Sequence, residues 1–351
     1  MRKEILVAAL IFLSISSCKK AENPVSPNWE LSGKIVYSTG TSIYLLDLSG
    51  SNPVPRLLVD EAGEPVVSPD GKTVAFSKIS PAGSFDIYRI NVDGSGMRNL
   101  TNRTWVSESA PDWSPDGRKV VFHGWEPRKI LFSLYVMNQD GTDIHAVTDS
   151  ARWSTAANPS WSPSGERIAY LWKWDSTGSN SFSLRTISLH DSGITTLDTL
   201  LFWQMLLWSP DGRKIAYSKY GVNGVCVIDV DERIPRLLEN CERFLSWMPN
   251  GDLLCRCVLS SDTTKYKYGV CLISPDVGGS GRLISGSFAG NLAATPSPDG
   301  KYIAIFSRKP PDEGYCLYVV RPDGTDLRKV AAVDASSSAL IEELHYCQWI
   351  R

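Results

Sequence analysis

Short apolar runs separated by a recurring turn motif dominate the hydrophobic pattern of this 351-residue chain. The tetrapeptide Ser-Pro-Asp-Gly occurs four times, and two close variants join it, at intervals of 39 to 49 residues. Pro fixes φ at the first corner of a tight turn, Asp or Asn tolerates the second, and Gly accepts the left-handed conformation. Because each copy lies between two apolar runs, the motif predicts one β-hairpin per repeat. The six copies begin at Ser68, Ser114, Ser162, Ser209, Met248 and Ser297.

The residues around each turn predict further strands. An aromatic residue often precedes the turn, and an apolar run such as 119–122 or 214–217 follows it. A third run, such as 134–138, leads into an Asp-Gly turn, and a shorter fourth one follows at 97–101 or 144–148. Four strands per repeat at a period of about 40–50 residues are typical of a β-propeller blade.

The number of blades follows from the two ends of the chain. The run at 43–47 matches the third strand of the later repeats, but no turn motif precedes it. Residues 344–349 match an innermost strand, but no further strands of a blade follow them. We therefore expect an all-β, seven-bladed β-propeller of four-stranded antiparallel blades, with the ring closed when the C-terminal strand pairs with the N-terminal blade. Seven blades over residues 33–351 give about 46 residues each, which matches the turn spacing, whereas six give about 53. Closure leaves no exposed sheet edge between the first and last blades.

This pattern resembles the PD40, or WD40-like, repeats of the TolB family, and the resemblance covers residues 33–349. The Gly-His and Trp-Asp pairs of true WD40 repeats are missing. TolB itself carries an α/β domain ahead of a six-bladed propeller, and here the predicted tether runs directly into the first blade. The resemblance therefore implies a TolB-like propeller that is not TolB, and TolB's partners do not transfer to it.

The beginning of the chain has the features of a targeting segment. Arg2 and Lys3 precede an apolar run at 5–15, which is too short to span a bilayer as a helix. Residues 15–18, Ile-Ser-Ser-Cys, resemble the lipobox of bacterial lipoproteins. The alternative is an ordinary secretory signal with a chance cysteine. The resemblance implies a signal peptide at 1–17, lipidation of Cys18 and a tether at 18–32. Because Lys19 rather than Asp follows the cysteine, the sorting rule implies the outer membrane, on its periplasmic or its surface side.

Composition excludes one class of partner. The chain has 36 Lys and Arg against 38 Asp and Glu. A nucleic-acid binder needs a basic face to neutralise phosphates. We therefore expect no nucleic-acid partner.

Candidate binding residues lie in the longer connections. In a propeller the first-to-second and third-to-fourth strand turns share one face, and the second-to-third loops and interblade connections share the other. Trp105 and Trp153 each lie eight residues before the Trp of the next turn motif, so they should be equivalent on neighbouring blades. Large aromatics dominate binding hot spots, although they could equally cap the gaps between blades. The candidate aromatic residues are Trp105, Trp125, Trp153, Trp172, Trp174 and Trp203. A polar rim could come from Arg128, Lys129, Arg152, Lys173 and Asp175.

Catalytic signals are weak. His123 and His345 could approach the loop-bearing face from different blades, whereas His145 reads as outer strand and His190 adjoins a turn. Oligogalacturonate lyases, which are relatives of the TolB family with seven-bladed propellers, hold a metal with a histidine cluster, and no such cluster can be assembled from the histidines of this sequence. The Asp-Gly turns lack the further oxygen ligands of a calcium loop. We therefore expect no cofactor, no metal and no catalytic site.

The seven cysteines after Cys18 are explained mainly as small buried hydrophobic residues. Cys255 occupies a position that other repeats fill with Ala, which favours core packing. One disulfide in the sixth blade, between Cys257 and Cys271, is possible in an envelope protein. Because the number is odd, they cannot all pair internally.

These observations predict a lipid-anchored binding or scaffold protein of the cell envelope. Its loop-bearing face would bind another envelope protein or a glycan. The alternative is a propeller enzyme that acts on polysaccharide, as a lyase or a hydrolase.

Overall fold

A computed structural model describes residues 31–39, 41–50, 52–103, 106–126, 131–148, 154–174, 182–201, 206–219, 224–260, 267–277, 281–308, 314–333 and 347–350. These residues form 27 strands, β1 to β27 in chain order, arranged as seven four-stranded antiparallel blades. The expected fold class is therefore confirmed.

The first blade contains strands from both ends of the described chain, and each of the next three blades is formed by four consecutive strands. Blade 1, from the centre of the ring outward, contains β27 (Cys347–Ile350), β1 (Lys34–Ser38), β2 (Ser42–Asp47) and β3 (Arg56–Asp60). Blade 2 contains β4 (Ala62–Val67), β5 (Thr73–Ile79), β6 (Phe85–Asn91) and β7 (Arg98–Asn99). Blade 3 contains β8 (Ser107–Trp113), β9 (Lys119–Glu126), β10 (Leu131–Asn138) and β11 (His145–Ala146). Blade 4 contains β12 (Ser154–Trp161), β13 (Arg167–Trp174), β14 (Phe182–Ser188) and β15 (Ile194–Leu201).

Three blades complete the ring, and the last two of them share one long strand. Blade 5 contains β16 (Leu207–Trp208), β17 (Lys214–Ser218), β18 (Val225–Asp229) and β19 (Pro235–Leu238). Blade 6 contains β20 (Arg243–Trp247), β21 (Leu253–Ser260), β22 (Lys267–Ile273) and the first half of β23 (Arg282–Pro296). Blade 7 contains the second half of β23, β24 (Ile303–Arg308), β25 (Tyr315–Val320) and β26 (Arg328–Val333). β23 pairs with β22 up to Phe288 and with β24 from Ala289 onward, so it runs from the outside of one blade to the inside of the next.

The core lies between the blades. In the described part of the chain, buried hydrophobic residues form seven clusters, and each cluster joins one blade to its neighbour around the ring. One of them packs Trp349 and Ile35 of blade 1 against Phe306 of blade 7. A cluster at every junction, including the one between the first and last blades, is what a closed ring requires.

The closing strand β27 holds three blades together. It pairs antiparallel with β1, with Trp349 opposite Ile35. The Trp349 indole is buried, donates a hydrogen bond to the Ser32 carbonyl and stacks on Tyr302 of blade 7. On the side of β27 that faces blade 2, the backbone N–H of Val67 donates a hydrogen bond to Gln348 Oε1 at 2.6 Å. The expected closure by the C-terminal strand is therefore present.

The six predicted turns occur on one surface of the ring, which we call the turn face. In the first copy, Gly71 N donates to the Ser68 carbonyl at 2.8 Å, and Gly71 has a φ of 71°. The Ser68 hydroxyl donates to Asp70 Oδ1 at 2.6 Å and accepts a hydrogen bond from Thr73 N. Hydrogen bonds from the Ser68 hydroxyl and from Lys72 N hold the pKa of Asp70 below its usual value. The same pattern recurs at Ser114, Ser209 and Ser297.

Two outer strands are shorter than expected. The runs 97–101 and 144–148 contribute only the two-residue strands β7 and β11. In both, a threonine hydroxyl replaces the next backbone acceptor: Ile87 N donates to Thr101 Oγ1, and Leu134 N donates to Thr148 Oγ1. The regular backbone ladder ends there because the side chain has taken the place of the carbonyl.

Blade 6 contains two disulfides. Cys257 bonds to Cys271, as the sequence suggested. Cys241 bonds to Cys255, so the assignment of Cys255 to simple core packing is wrong. Cys241 lies just before β20, and its Cα is 5.3 Å from that of Cys255 on the adjacent strand, within the usual range for a disulfide. Cys226, Cys316 and Cys347 are in the reduced, thiol form.

Candidate functional site

The surface opposite the turn face, which we call the loop face, exposes apolar side chains. Ile79 and Phe85 face each other across the end of the β5–β6 hairpin and are 51% and 43% exposed. Val258 and Leu259, near the corresponding end of β21 in blade 6, are also exposed. Exposed apolar groups at strand ends are a common feature of binding surfaces, although each alone is unremarkable.

A cleft of about 320 Å³ opens at the junction of blades 2, 3 and 4. The end of β8 that lies far from its turn, and the paired ends of β9 and β10, place it toward the loop face. Trp125 and Phe132, which are cross-strand partners, contribute its aromatic surface. The residues that line the cleft are Glu64, Ser107, Ser109, His123, Trp125, Phe132 and Asn158.

Three equivalent backbone irregularities shape this cleft. Glu64, Ala110 and Asn158 each lie four residues before a turn motif and have φ values of 52°, 51° and 50°. The register of β4, β8 and β12 against the neighbouring strand shifts at these positions. A bulge of this kind turns a backbone N–H away from the ladder and re-aims the side chain.

Side chains of the preceding blade accept the N–H groups that the bulges free. Glu64 Oε2 in blade 2 accepts hydrogen bonds from Ala110 N and from the Ser77 hydroxyl, both at 2.7 Å. His123 Nδ1 in blade 3 accepts one from Asn158 N at 3.2 Å. The same interblade contact therefore occurs twice, once with a carboxylate and once with an imidazole.

The contacts of His123 define its protonation. Burial lowers the pKa of His123 to about 4, so the ring is neutral near pH 7. A backbone N–H can only donate, so Nδ1 is the unprotonated nitrogen and Nε2 carries the proton. Nε2 is 2.8 Å from the Ser109 hydroxyl, to which it must donate. A general base would have to accept the serine proton at that nitrogen, so this His–Ser pair does not activate Ser109 as a nucleophile.

A second polar pair lies behind β8. Glu108 is fully buried, and its carboxylate forms a salt bridge with the Arg103 guanidinium, which lies over the Tyr135 ring. Burial raises the pKa of Glu108, although Arg103 opposes that effect. Because Glu108 points to the side of β8 opposite Ser109, this pair packs between blades 2 and 3 and does not line the cleft.

Four of the predicted binding residues fall within the described chain. The prediction that they lie in connections is wrong, because all four belong to the ends of the second strands β9 and β13, which extend further than expected. Trp125 is half-buried and lines the cleft. Trp172 is half-buried between blades 3 and 4, with the Arg185 guanidinium 3.5 Å from its ring centre. Lys173 lies 5.9 Å from the Phe182 ring, and Trp174 ends β13 opposite Ser154. The structure thus places Trp125 in the cleft and gives Trp172 intramolecular contacts.

The other predicted residues lie outside the described residues. They are Cys18, Trp105, Arg128, Lys129, Arg152, Trp153, Asp175, Trp203 and His345. His145 and His190, which the sequence assigned to an outer strand and a turn, are found there and are exposed. The cleft residues Glu64, Ser109 and Asn158 were not anticipated, and their only sequence signal is a shared position a few residues ahead of a turn motif.

Two further findings concern ligands and membranes. Among the described residues, no group of three His, Cys, Asp or Glu side chains is placed to hold a metal ion. No helix within that same part of the chain is long and apolar enough to cross a membrane.

Known proteins are similar to this chain, in sequence or in structure, at low sequence identity. An uncharacterized protein of Agrobacterium fabrum is 27% identical over 221 residues, which cover 60% of this chain and 72% of that protein. The puromycin-hydrolyzing peptidase of Mycobacterium tuberculosis superposes with a TM-score of 0.59 at 14% identity, over 83% of this chain and 49% of that one. An oligogalacturonate lyase in complex with manganese gives a TM-score of 0.50 at 14% identity, over 83% of this chain and 75% of the lyase.

These likenesses establish the fold alone, because enzymes of different chemistry share it. This chain spans about half the length of the peptidase, so that enzyme's activity is not carried over. At the sequence level, the TolB beta propeller domain profile matches residues 16–249, about two thirds of the chain. The repeats, the seven blades and this match together show that the chain belongs to the TolB β-propeller domain family.

Proposed function

We propose that this protein is a lipid-anchored binding protein of the cell envelope and that its loop face docks a partner protein. The observation that carries the proposal is the cleft beside Trp125, together with the apolar strand ends Ile79 and Phe85 on the same face. A rigid ring that presents a concave, partly aromatic site is suited to binding.

The chemistry of the cleft favours binding over catalysis. His123 donates to Ser109 instead of accepting its proton, so the His–Ser pair among the described lining residues lacks an activated nucleophile. Glu64 is held by two hydrogen bonds on a single oxygen, which suits a fixed recognition group. Turnover of a polysaccharide by the purified protein, lost on mutation of His123, would contradict this proposal.

Lipid anchoring rests on Cys18 and the apolar segment before it. Two or more acyl chains hold a protein on a membrane without a spanning helix, since each buried methylene contributes about 0.8 kcal/mol. Cys18→Ala should move the protein from the detergent phase to the aqueous phase on phase partitioning. A variant that stays in the detergent phase would rule out this anchor and leave the loop-face proposal untouched.

The docking proposal is tested by site-specific photo-crosslinking in intact cells. A photoreactive residue replaces Phe85 on the loop face or Val277 on the turn face, which is 84% exposed and serves as the matched control. We expect Phe85 to give a discrete crosslinked partner by mass spectrometry and Val277 to give none. Equal crosslinking from both faces, or a loop-face product that contains glycan and no protein, would contradict a protein partner on this face.

A further inference from the structure

Glu64 lines the cleft, and one of its two carboxylate oxygens accepts the hydrogen bonds that hold it. Oε2 accepts the hydrogen bonds from Ala110 N and the Ser77 hydroxyl. Within the described part of the chain, no group donates a hydrogen bond to Oε1. Two donors on the same side fix the carboxylate in place, so Oε1 is held ready for a ligand at little entropic cost.

The electrostatics of the described cleft lining are negative. Glu64 is the one carboxylate among those residues, and no Lys or Arg is among them. His123 adds no positive charge, because its pKa of about 4 keeps it neutral at physiological pH. An acidic group beside aromatic rings favours an organic cation over an anion.

The size and the walls of the cleft further restrict the class of ligand that it can bind. Its volume of about 320 Å³ is at the lower end for ligand sites and fits one long side chain. Trp125 offers a ring surface along which an aliphatic stem can pack, and a guanidinium can stack on the same ring. A carboxylate, an aromatic wall and a small volume are the features that recognise a basic side chain.

We propose that the cleft receives an arginine or lysine side chain of the protein that docks on the loop face. The charged head donates to Glu64 Oε1, and the stem packs on Trp125. This inference rests on the proposed function, since it names the anchor by which that partner is held. The bulge at Glu64 places its side chain at the junction between blades, where Oε2 accepts from Ala110 N.

The first experiment measures ligand binding to the mature chain with two probes. N-acetylarginine methylamide carries the cation, and N-acetylcitrulline methylamide is its neutral isostere. We expect saturation-transfer NMR titrations to show at least tenfold tighter binding of the arginine probe. We also expect that preference to weaken as salt rises, because the contact is partly exposed. Equal binding of the two probes, or preferential binding of neutral sugars, would overturn the proposal.

Variants then assign the preference to the cleft. Glu64→Gln keeps an amide oxygen for Ala110 N while removing the charge, and should abolish the preference for arginine over citrulline. Glu61→Gln is the matched control: its side chain is 81% exposed, pairs loosely with Lys78 and does not line the cleft, so the preference should persist. Trp125→Leu, which leaves Glu64 intact, should weaken binding of both probes several-fold. A preference that survives Glu64→Gln would overturn the proposal.

The outcomes separate this inference from the proposed function. If the arginine probe fails while Phe85 still crosslinks a partner, the cation site is wrong and loop-face docking stands. If the probe binds at Glu64 but no partner crosslinks from Phe85, the site exists and the docking proposal fails. Both proposals hold only when crosslinking also declines in Glu64→Gln and persists in Glu61→Gln.

Discussion

The turn motif on one face of the ring and the cleft on the other are built by different means. Within each Ser-Pro-Asp-Gly turn, the Ser and Asp side chains form hydrogen bonds to groups at most five residues away. On the loop face, the contacts that shape the cleft cross from one blade to the next. Glu64 accepts a hydrogen bond from Ala110 N, and His123 accepts one from Asn158 N. The hydrogen bonds of the turn motif are therefore local and repeated, even though arginines such as Arg56 and Arg89 also bridge blades on the turn face. The cleft, in contrast, exists only when neighbouring blades are in register.

This difference predicts which substitutions affect stability and which affect binding. Interblade contacts at the centre of the ring should have the largest stability effects, since they hold every blade in place. Buried groups at the cleft junction should have intermediate effects that depend on pH. Changes in a single turn should have small effects, because the other five turns are unaltered.

The largest expected effect comes from Trp349, which closes the ring. Trp349→Ala removes a buried indole and its hydrogen bond to Ser32, so we expect a loss of about 3–5 kcal/mol in the free energy of unfolding. Urea denaturation measures this loss. Trp247→Ala is the matched control: that indole is equally buried and also donates to a backbone carbonyl, but it lies in blade 6, which is built from continuous chain.

Closure should also separate the two variants in a second measurement. An open ring lets the first and last blades move apart, so Trp349→Ala should become sensitive to proteases near β1 while Trp247→Ala does not. An unchanged urea midpoint for Trp349→Ala would show that β27 does not close the ring in solution.

The next effect is the pH dependence that His123 contributes. Its folded-state pKa of about 4 is below the usual 6.5, so the unfolded chain takes up a proton first as the pH falls. The stability from this group is complete above about pH 6.5 and is lost as the pH falls toward 4, by about 2–3 kcal/mol. His123→Gln should remove that part of the slope. Thermal melts from pH 7.5 to 4.5 measure it.

Asp112 supplies the control because its contribution has the opposite sign. Its carboxylate accepts hydrogen bonds from Trp113 N and Trp161 N, yet desolvation raises its pKa to about 7. The folded state therefore keeps a proton that the unfolded chain releases near pH 4, and stability falls as the pH rises from 4 to 7. Asp112→Asn should steepen the acid-induced loss that His123→Gln reduces. Identical slopes in wild type and His123→Gln would contradict a buried neutral His123.

The contrast between the faces also explains how far the sequence could be read. The turn motif, the blade count and the closing strand follow from short-range patterns, because each repeat carries its own turn. The Cys257–Cys271 disulfide could be predicted for the same reason, since both residues lie in one blade. Cys241 was missed because it lies ahead of β20, where no repeat position predicts its approach to Cys255.

The cleft was harder to predict because its residues have no motif of their own. Trp125 was identified as an aromatic residue in a connection, but Glu64 and Ser109 are ordinary polar residues in inner strands. They become a site only through bulges that shift the register and through contacts between blades. A pattern confined to one repeat carries no information about which side chains meet across a junction.

The smallest expected effect tests how local the turn face is. In the third turn Ser164 replaces the usual Asp, and its hydroxyl accepts from Glu166 N at 3.3 Å, against 3.0 Å from Arg118 N to Asp116 in the second turn. Charged acceptors form the stronger hydrogen bonds. Ser164→Asp should therefore stabilise the protein, and the gain should be larger with Glu166→Lys. Four other turns carry a basic residue at this position, where Glu166 would repel the new Asp.

We expect about 0.5–1 kcal/mol from the double substitution, measured as a shift of the urea midpoint at constant slope. Asp116→Ser is the reverse control and should lose a similar amount. Neither change should alter binding of the arginine probe, since the turns are on the far side of each blade from the cleft. A turn-face substitution that weakens that binding would show that the two faces are coupled and that the turns do more than stabilise their own blades.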